Sequence, residues 1–220
     1  VADNLQSSPL VDELVALAAQ TGIPVKRIAR KTLDKLAQGH QGIVLKTGRY
    51  PTVEVEDILH RAAKLNEPPF LIILDHVEDP HNLGAVLRTA EAVGVHGVIL
   101  PKQRAAGVTP AVVNVSAGAV EHMWVAEVPN LAQVLKVLKQ DNVWIAGVEL
   151  DPAAQFFHKA NLTGPIALVV GSEGKGLSRL IKDTCDFLIK LPMRGQVESL
   201  NASVACSLIL YEVWRARAFS

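Results

Sequence analysis

FLIILDHVEDPHNLGAVLRTAEAVGVHGVILP, residues 70–101, decides the architecture. Its first five residues are all apolar, with no polar alternate, so both faces of the strand they predict must be covered. An acidic turn follows. Residues 84–93 carry helical periodicity, and residues 97–100 form a second short apolar run. A strand, a helix and a strand in one short stretch predict a parallel pair joined by a crossover helix.

The alternation continues downstream. Helices are expected at 110–116, 131–139 and 199–216, and strands at 123–125, 143–148, 165–170 and 187–191. The fold class is therefore α/β, a parallel sheet with helices on both faces. Scarce aromatics and abundant Val, Leu, Ile and Ala agree with it, and an apolar fraction of 49% is enough to bury a sizeable core.

Upstream the texture differs. Residues 8–20 have an apolar helical side, and 32–37 read as a brief helix. Residues 23–28 and 42–46 read as short strands, and 53–65 as a linking helix. This small α/β piece has too few strands to close a sheet. The domain reading is 1–47, part of a small N-terminal domain; 48–67, a linker; and 68–220, the main domain.

Formal net charge is zero, so composition alone does not select nucleic acid as a partner. Charge is uneven, however. Lys26, Arg27, Arg30, Lys31, Lys35, Lys46 and Arg49 face a single acid, Asp34, between residues 22 and 49. The stripe suits either an RNA backbone or a solvated helix face. Cys185 and Cys206 lie far apart without metal spacing and read as reduced core thiols of a cytosol-like compartment. The seven histidines show no ligand spacing, so no metal is expected. Nor is a membrane span or signal peptide.

Three segments could carry chemistry. LDHVEDPHNLGAVLRTA (74–90) runs from a buried strand through an acidic turn to Asn82 and Arg88, at the end of the sheet where such folds bind ligands. A surface arginine paired with Glu91 or Asp79 is the plainer reading. ALVVGSEGKGL (167–177) is a strand ending in a glycine-rich turn, where backbone can approach a ligand closely. It is neither a dinucleotide fingerprint nor a triphosphate loop. Glu173 would repel phosphate yet tolerate a cation such as a sulfonium. LPMRGQVESLNASVA (191–205) opens an apolar helix with Ser199, Asn201 and Ser203, any of which could cap it. Met193 there reads as gap-filling core as readily as a ligand contact. The chain has no nucleophile elbow for a serine hydrolase and no glycine fingerprint after the first main-domain strand.

Taken together, N-x-G-A-x-x-R-T-A (82–90), G-S-E-G-x-G-L (171–177) and L-P-M…S-L-N-A-S-V-A (191–205) resemble, in order and spacing, the SpoU family of RNA 2′-O-methyltransferases within the SPOUT class. Within it, residues 79–102 and 116–131 are similar to the branch that methylates a guanosine ribose in the peptidyl-transferase loop of large-subunit rRNA. The tRNA-directed branch is the rival, and a non-catalytic RNA-binding or ribosome-assembly protein on the same fold is a third reading.

The resemblance implies a deep C-terminal trefoil knot, S-adenosylmethionine as cofactor, RNA as substrate, and a homodimer with the pocket near the subunit interface. It implies cofactor contacts at Gly171, Leu191 and Leu200, with Ser199 and Met193 beside them. It nominates Arg88 for activating the ribose hydroxyl, with Asn82, Glu173, Ser199 and Asn201 around it. Residues 1–47 match only the later part of the family's RNA-binding domain. RNA contacts are expected at Lys26, Arg27, Arg30, Lys31 and Arg194. The implied location is the bacterial cytoplasm, or a mitochondrion or plastid in a eukaryote.

Arg88 poses a physical problem as a base, because losing its proton near pH 7 costs at least about 7 kcal/mol. Either it grips a phosphate and stabilises the developing alkoxide as a cation, or substrate binding depresses its pKa by desolvation.

Overall fold

The structure is a computed structural model and describes residues 1–37 and 39–219. The chain divides into two compact units, Val1–Arg49 and a larger one beginning at Tyr50.

The first unit is built on α1 (Pro9–Gln20) and the short α2 (Arg30–Asp34). Ser8 caps α1 by accepting the Val11 N–H at 3.3 Å, with Pro9 opening the helix. The expected strands at 23–28 and 42–46 do not form. Residues 1–3 are what these stretches bond to: Ala2 N–H donates to the Gly42 carbonyl and Asp3 N–H to that of Ile28. These bonds make one isolated bridge, Ala2 with Ile28, and no ladder.

The second unit has seven strands: β1 (Phe70–Asp75), β2 (Gly97–Pro101), β3 (Val125–Val128), β4 (Trp144–Val148), β5 (Gln155–Phe156), β6 (Ile166–Gly171) and β7 (Phe187–Lys190). Their order is β3-β2-β1-β6-β4-β7-β5, every pairing parallel. All six residues of β1 are buried, as the unbroken apolar run requires. Phe70, Ile72 and Leu74 face a core layer containing residues of α4 (Pro80–Ala92), α5 (Pro110–Val115) and α8 (Ala202–Ala216). Leu71 and Ile73 face the opposite layer, with α3 (Val55–Leu65), α6 (Leu131–Gln140) and α7 (Arg179–Thr184).

Several boundaries move for local reasons. Helix α4 starts at Pro80, a full turn before residue 84, because Asp79 accepts the His81 N–H at 2.9 Å and proline suits the first turn. Strand β3 begins at Val125, after a short 3-10 turn ending at His122. Helix α8 begins at Ala202, capped by Asn201. The two-residue β5 and the short α7 lack the periodicity that would announce them. The segment expected as a linker contributes α3, whose Val55, Ile58 and Ala62 are buried in the second unit. Among the described residues no helix is long and apolar enough to cross a membrane.

Ile58 is fully buried against Gly97, where a methyl group would lie 2.5 Å from its side chain. The pair fits α3 onto β2 without a gap. Ile58→Ala should lower the unfolding free energy by about 2–5 kcal/mol in chemical denaturation. His96 is buried too, and its Nδ1 accepts the Phe70 N–H at 3.0 Å while Nε2 lies 3.2 Å from Glu67. Burial lowers its pKa, Glu67 opposes that, and Arg217 and Arg61 reinforce it. The unfolded chain therefore binds this proton more readily than the folded one. Stability should fall as pH drops through about 6.5, and His96→Gln should flatten that fall in melts taken across the range.

Candidate active site

Strand β6 lies between β1 and β4, so three strand ends from distant parts of the chain meet at one rim: Asp75 pairs with Gly171, and Val148 with Val170. A reversal of strand order at the carboxyl ends is where open α/β sheets hold ligands. Among the described residues, loops leaving this rim bound three cavities, two of which share the glycine loop after β6 while the third, about 260 Å³, lies toward β2 and α6.

The first cavity, about 340 Å³, is bounded by the glycine loop after β6, the segment after β7 and the start of α8. Gly171, Leu191, Met193, Ser199 and Leu200 all line it, joined by Glu149 and Leu150 at the end of β4. Gly171 is obligatory for space: a methyl group there would lie 2.2 Å from the Gly176 carbonyl. Gly174 and Gly176 adopt positive φ, +81° and +66°, letting the loop fold back on itself. The return is held by Gly176 N–H donating to the Ser172 carbonyl at 3.0 Å, and by Leu177 N–H donating to Glu149 at 2.8 Å.

The second cavity, about 430 Å³, opens on the other side of the same loop, between it and the β1–α4 turn. Ser172, Glu173, Lys175 and Gly176 belong to both cavities. At this shared wall the three motifs meet. Asn201 Nδ2 donates to Asn82 Oδ1 at 2.9 Å and to Glu173 at 3.3 Å, and Asn82 Nδ2 donates to the same Glu173 oxygen at 3.3 Å. Asn82 is buried. Asn201 Oδ1 meanwhile accepts from Ser203 N–H and Oγ, and from Val204 N–H, capping α8.

Arg88 is not in this cluster. Six residues beyond Asn82 on α4, it is displaced about 9 Å along the axis and roughly 120° around it. It is exposed and lines neither cavity. Among the described residues it makes no ion pair, so the expected pairing with Glu91 or Asp79 is absent. Ser199 lines the first cavity, but Asn201 is the helix cap. Lys26, Arg27, Arg30 and Lys31 are all exposed in the first unit, and Arg194 is exposed in the second.

Asp75 escaped the sequence reading. It is buried, with one oxygen 2.6 Å from His76 Nδ1 and the other accepting the Ser178 N–H at 2.8 Å. It ties the β1–α4 turn to the end of the glycine loop. A carboxylate ending an otherwise apolar strand was the available signal.

The chain matches the SpoU rRNA Methylase family over residues 69–211, and a model described as RNA 2′-O ribose methyltransferase substrate binding over residues 1–53. A Bacillus subtilis protein named as a TrmH family tRNA/rRNA methyltransferase, YacO, is 48% identical over 93% of this chain and 82% of its own length. The 23S rRNA (guanosine-2′-O-)-methyltransferase RlmB of Coxiella burnetii is 46% identical over 94% of this chain and 83% of its own. In fold, the chain is similar to the SpoU methyltransferase AviRb of Streptomyces viridochromogenes, crystallised with the cofactor AdoMet: TM-score 0.70, 24% identity, 94% of this chain and 89% of that one. Family match, relatives and convergent motifs agree, and the chain belongs to the SpoU rRNA methylase family.

Proposed function

We propose that the chain methylates a ribose 2′-hydroxyl of RNA, at a guanosine of large-subunit rRNA, using S-adenosylmethionine. The observation that carries this reading is that Glu173, which lines the first and second cavities, is held by Asn82 and Asn201 from the other two motifs. A group-transfer enzyme needs a donor site and an acceptor site meeting at a thin polar boundary. The relatives' names supply the class of RNA: RlmB is named for guanosine in 23S rRNA.

The first cavity suits the cofactor. Its glycine backbone leaves room for close approach, and its lining mixes apolar Leu150, Val170, Leu191 and Leu200 with Glu149 and Glu173. Carboxylates there favour a cation and disfavour phosphate. When bound, S-adenosylmethionine would supply the methyl group: a C–O bond to the ribose 2′-oxygen would form as the S–C bond breaks, the hydroxyl proton would pass to solvent, and the donor would remain as a neutral thioether. Asn82 and Asn201 hold the Glu173 carboxylate at the boundary, and the backbone at Gly171, Leu191 and Leu200 orients the donor. Glu173 carries a structural load as well, since it joins α4, the glycine loop and α8.

Arg88 acts as a cation, gripping a target phosphate and stabilising the developing alkoxide. Its exposed position on α4 suits a site completed in a homodimer. Val204, Leu208 and Tyr211 recur along one exposed stripe of α8, each nearly half accessible. Leu208 follows Ser207, whose hydroxyl meets that of Thr89, the residue next to Arg88, at 2.9 Å. A second copy covering the stripe would bury apolar surface beside Arg88. The trefoil knot belongs to the same reading, as does residues 1–47 acting as part of the RNA-binding domain with Lys26, Arg27, Arg30 and Lys31, aided by Arg194. Both cysteines are free, and burial pushes their thiols up to about 12, which makes them inert core groups rather than nucleophiles.

Methyl transfer from labelled cofactor to unmodified large-subunit rRNA fragments and to tRNA tests the reading, with the modified ribose mapped afterwards. rRNA should be labelled; labelling confined to tRNA would move the chain to the other branch. A protein that fails to bind the cofactor in calorimetry is a scaffold rather than an enzyme. Gly171→Ala should weaken cofactor binding at least about tenfold, because the added methyl meets backbone. Arg88→Lys should lower turnover by about 100-fold or more while cofactor affinity holds; near-normal turnover removes Arg88 from the chemistry. Replacing Lys26, Arg27 and Arg30 together should flatten the salt dependence of RNA binding by about 2 in log–log slope.

A further inference from the structure

The second cavity contains groups that neither the fold nor the boundary cluster uses. Its carboxylates are Asp75, Glu78, Asp79 and Glu173. Three are committed. Asp75 holds His76 and the Ser178 N–H, Asp79 caps α4, and Glu173 holds the two asparagines. Glu78 is exposed and, among the described residues, has no hydrogen-bond or ionic partner. On the cationic side, Arg104 from the loop after β2 lines the same cavity, exposed and likewise without a partner among the described residues. Its backbone sits at φ +55°, a conformation uncommon for a residue with a side chain.

Four carboxylates against two permanent cations, Arg104 and Lys175, make this cavity a poor host for phosphate. Its unpartnered groups, the Glu78 carboxylate and the Arg104 guanidinium, suit a neutral ligand that offers both hydrogen-bond donors and acceptors. Guanine meets that description. Its N1–H and N2–H₂ present parallel donors that a carboxylate can accept together, and its O6 and N7 form the acceptor pair that a guanidinium fork fits. Adenine, cytosine and uracil lack the paired donors.

Resting on the function proposed above, we infer that the second cavity receives the base of the target nucleotide, with Glu78 reading the N1/N2 edge of guanine and Arg104 its O6/N7 edge. The ribose then lies at the Asn82–Glu173–Asn201 wall, with the methyl donor behind it. Base selection and chemistry use different residues, so they are separable by substitution.

The test uses the whole chain and an rRNA fragment whose modified ribose has been mapped, with the target base varied among guanine, hypoxanthine (lacking the N2 amine), 7-deazaguanine (lacking N7) and adenine. In the unsubstituted protein kcat/KM should fall about tenfold for each single-group deletion and further for adenine. Glu78→Gln should lower kcat/KM on guanosine by about 10- to 100-fold and abolish the distinction between guanine and hypoxanthine. Arg104→Ala should cause a similar loss and abolish the distinction between guanine and 7-deazaguanine. Cofactor affinity by calorimetry, unchanged in both variants, shows that the fold and the first cavity are intact. Retention of the full base discrimination by either variant overturns the inference, as does equal methylation of all four bases by the unsubstituted protein. If the unsubstituted protein methylates no RNA ribose, the proposed function itself fails, an outcome distinct from methylation that ignores the base.

Discussion

The parallel pairing of β1 with β6 is the constraint on which the site depends. Six consecutive residues of each strand are in register, from Phe70 against Ile166 to Asp75 against Gly171. These segments are far apart in the chain, and closing so long a loop costs entropy that the ladder and its covering layers must offset. Once the register is set, the acidic end of β1 stands beside the glycine that opens the β6 loop. A slip of one residue would turn both strands' side chains toward the wrong layer. It would also separate Asp75 from the Ser178 N–H that it now accepts.

Burying the Asp75 side chain is costly unless its oxygens find donors. Both do, and they come from different loops. Glu149 performs a parallel service from β4, accepting the next backbone N–H back, that of Leu177. Two carboxylates, Asp75 ending β1 and Glu149 just after β4, thus hold the exit of the glycine loop. Its entrance is held by the close approach of Gly171 to Gly176. The wall between the cavities is built from backbone pinned at both ends, which allows Glu173 to project from it at a defined place.

The sheet was legible because both faces are covered: a run such as Phe70, Leu71, Ile72, Ile73, Leu74 has few other destinations. The three motifs were legible as segments, and their likeness to one family identified them as one site. Periodicity could not reveal their meeting, since Asn82, Glu173 and Asn201 are joined by the β1–β6 and β4–β6 pairings rather than by anything local. The strands expected at 23–28 and 42–46 have the right composition, but a strand is a relation between segments, and these bond to residues 1–3 in one bridge and otherwise to neighbouring turns, as Ile23 N–H does to Ala18 and Ile43 N–H to His40. Asp75 was signalled only as a carboxylate ending an apolar strand; its role was not, because its partners, His76 and Ser178, lie on two loops that the fold brings together. The short β5 and α7 are specified by neighbours, β7 for the first and the α6 layer for the second.

Arg88 is the residue for which motif and geometry diverge most. Spacing grouped it with Asn82, yet the helix turns it away from the cluster that Asn82 joins. An arginine in a dry pocket would need a carboxylate, and its charge would then be spent on that partner. Held on an exposed face, it keeps its full charge available for a phosphate. The same separation keeps it from pairing with Glu173, the carboxylate that the proposed function sets beside a sulfonium donor. In the proposed function, the distance between Arg88 and the asparagine–glutamate cluster has a use of its own. On that proposal, opposite charges needed for opposite tasks, one for a cationic donor and one for an anionic substrate backbone, would be kept apart until the substrate lay between them.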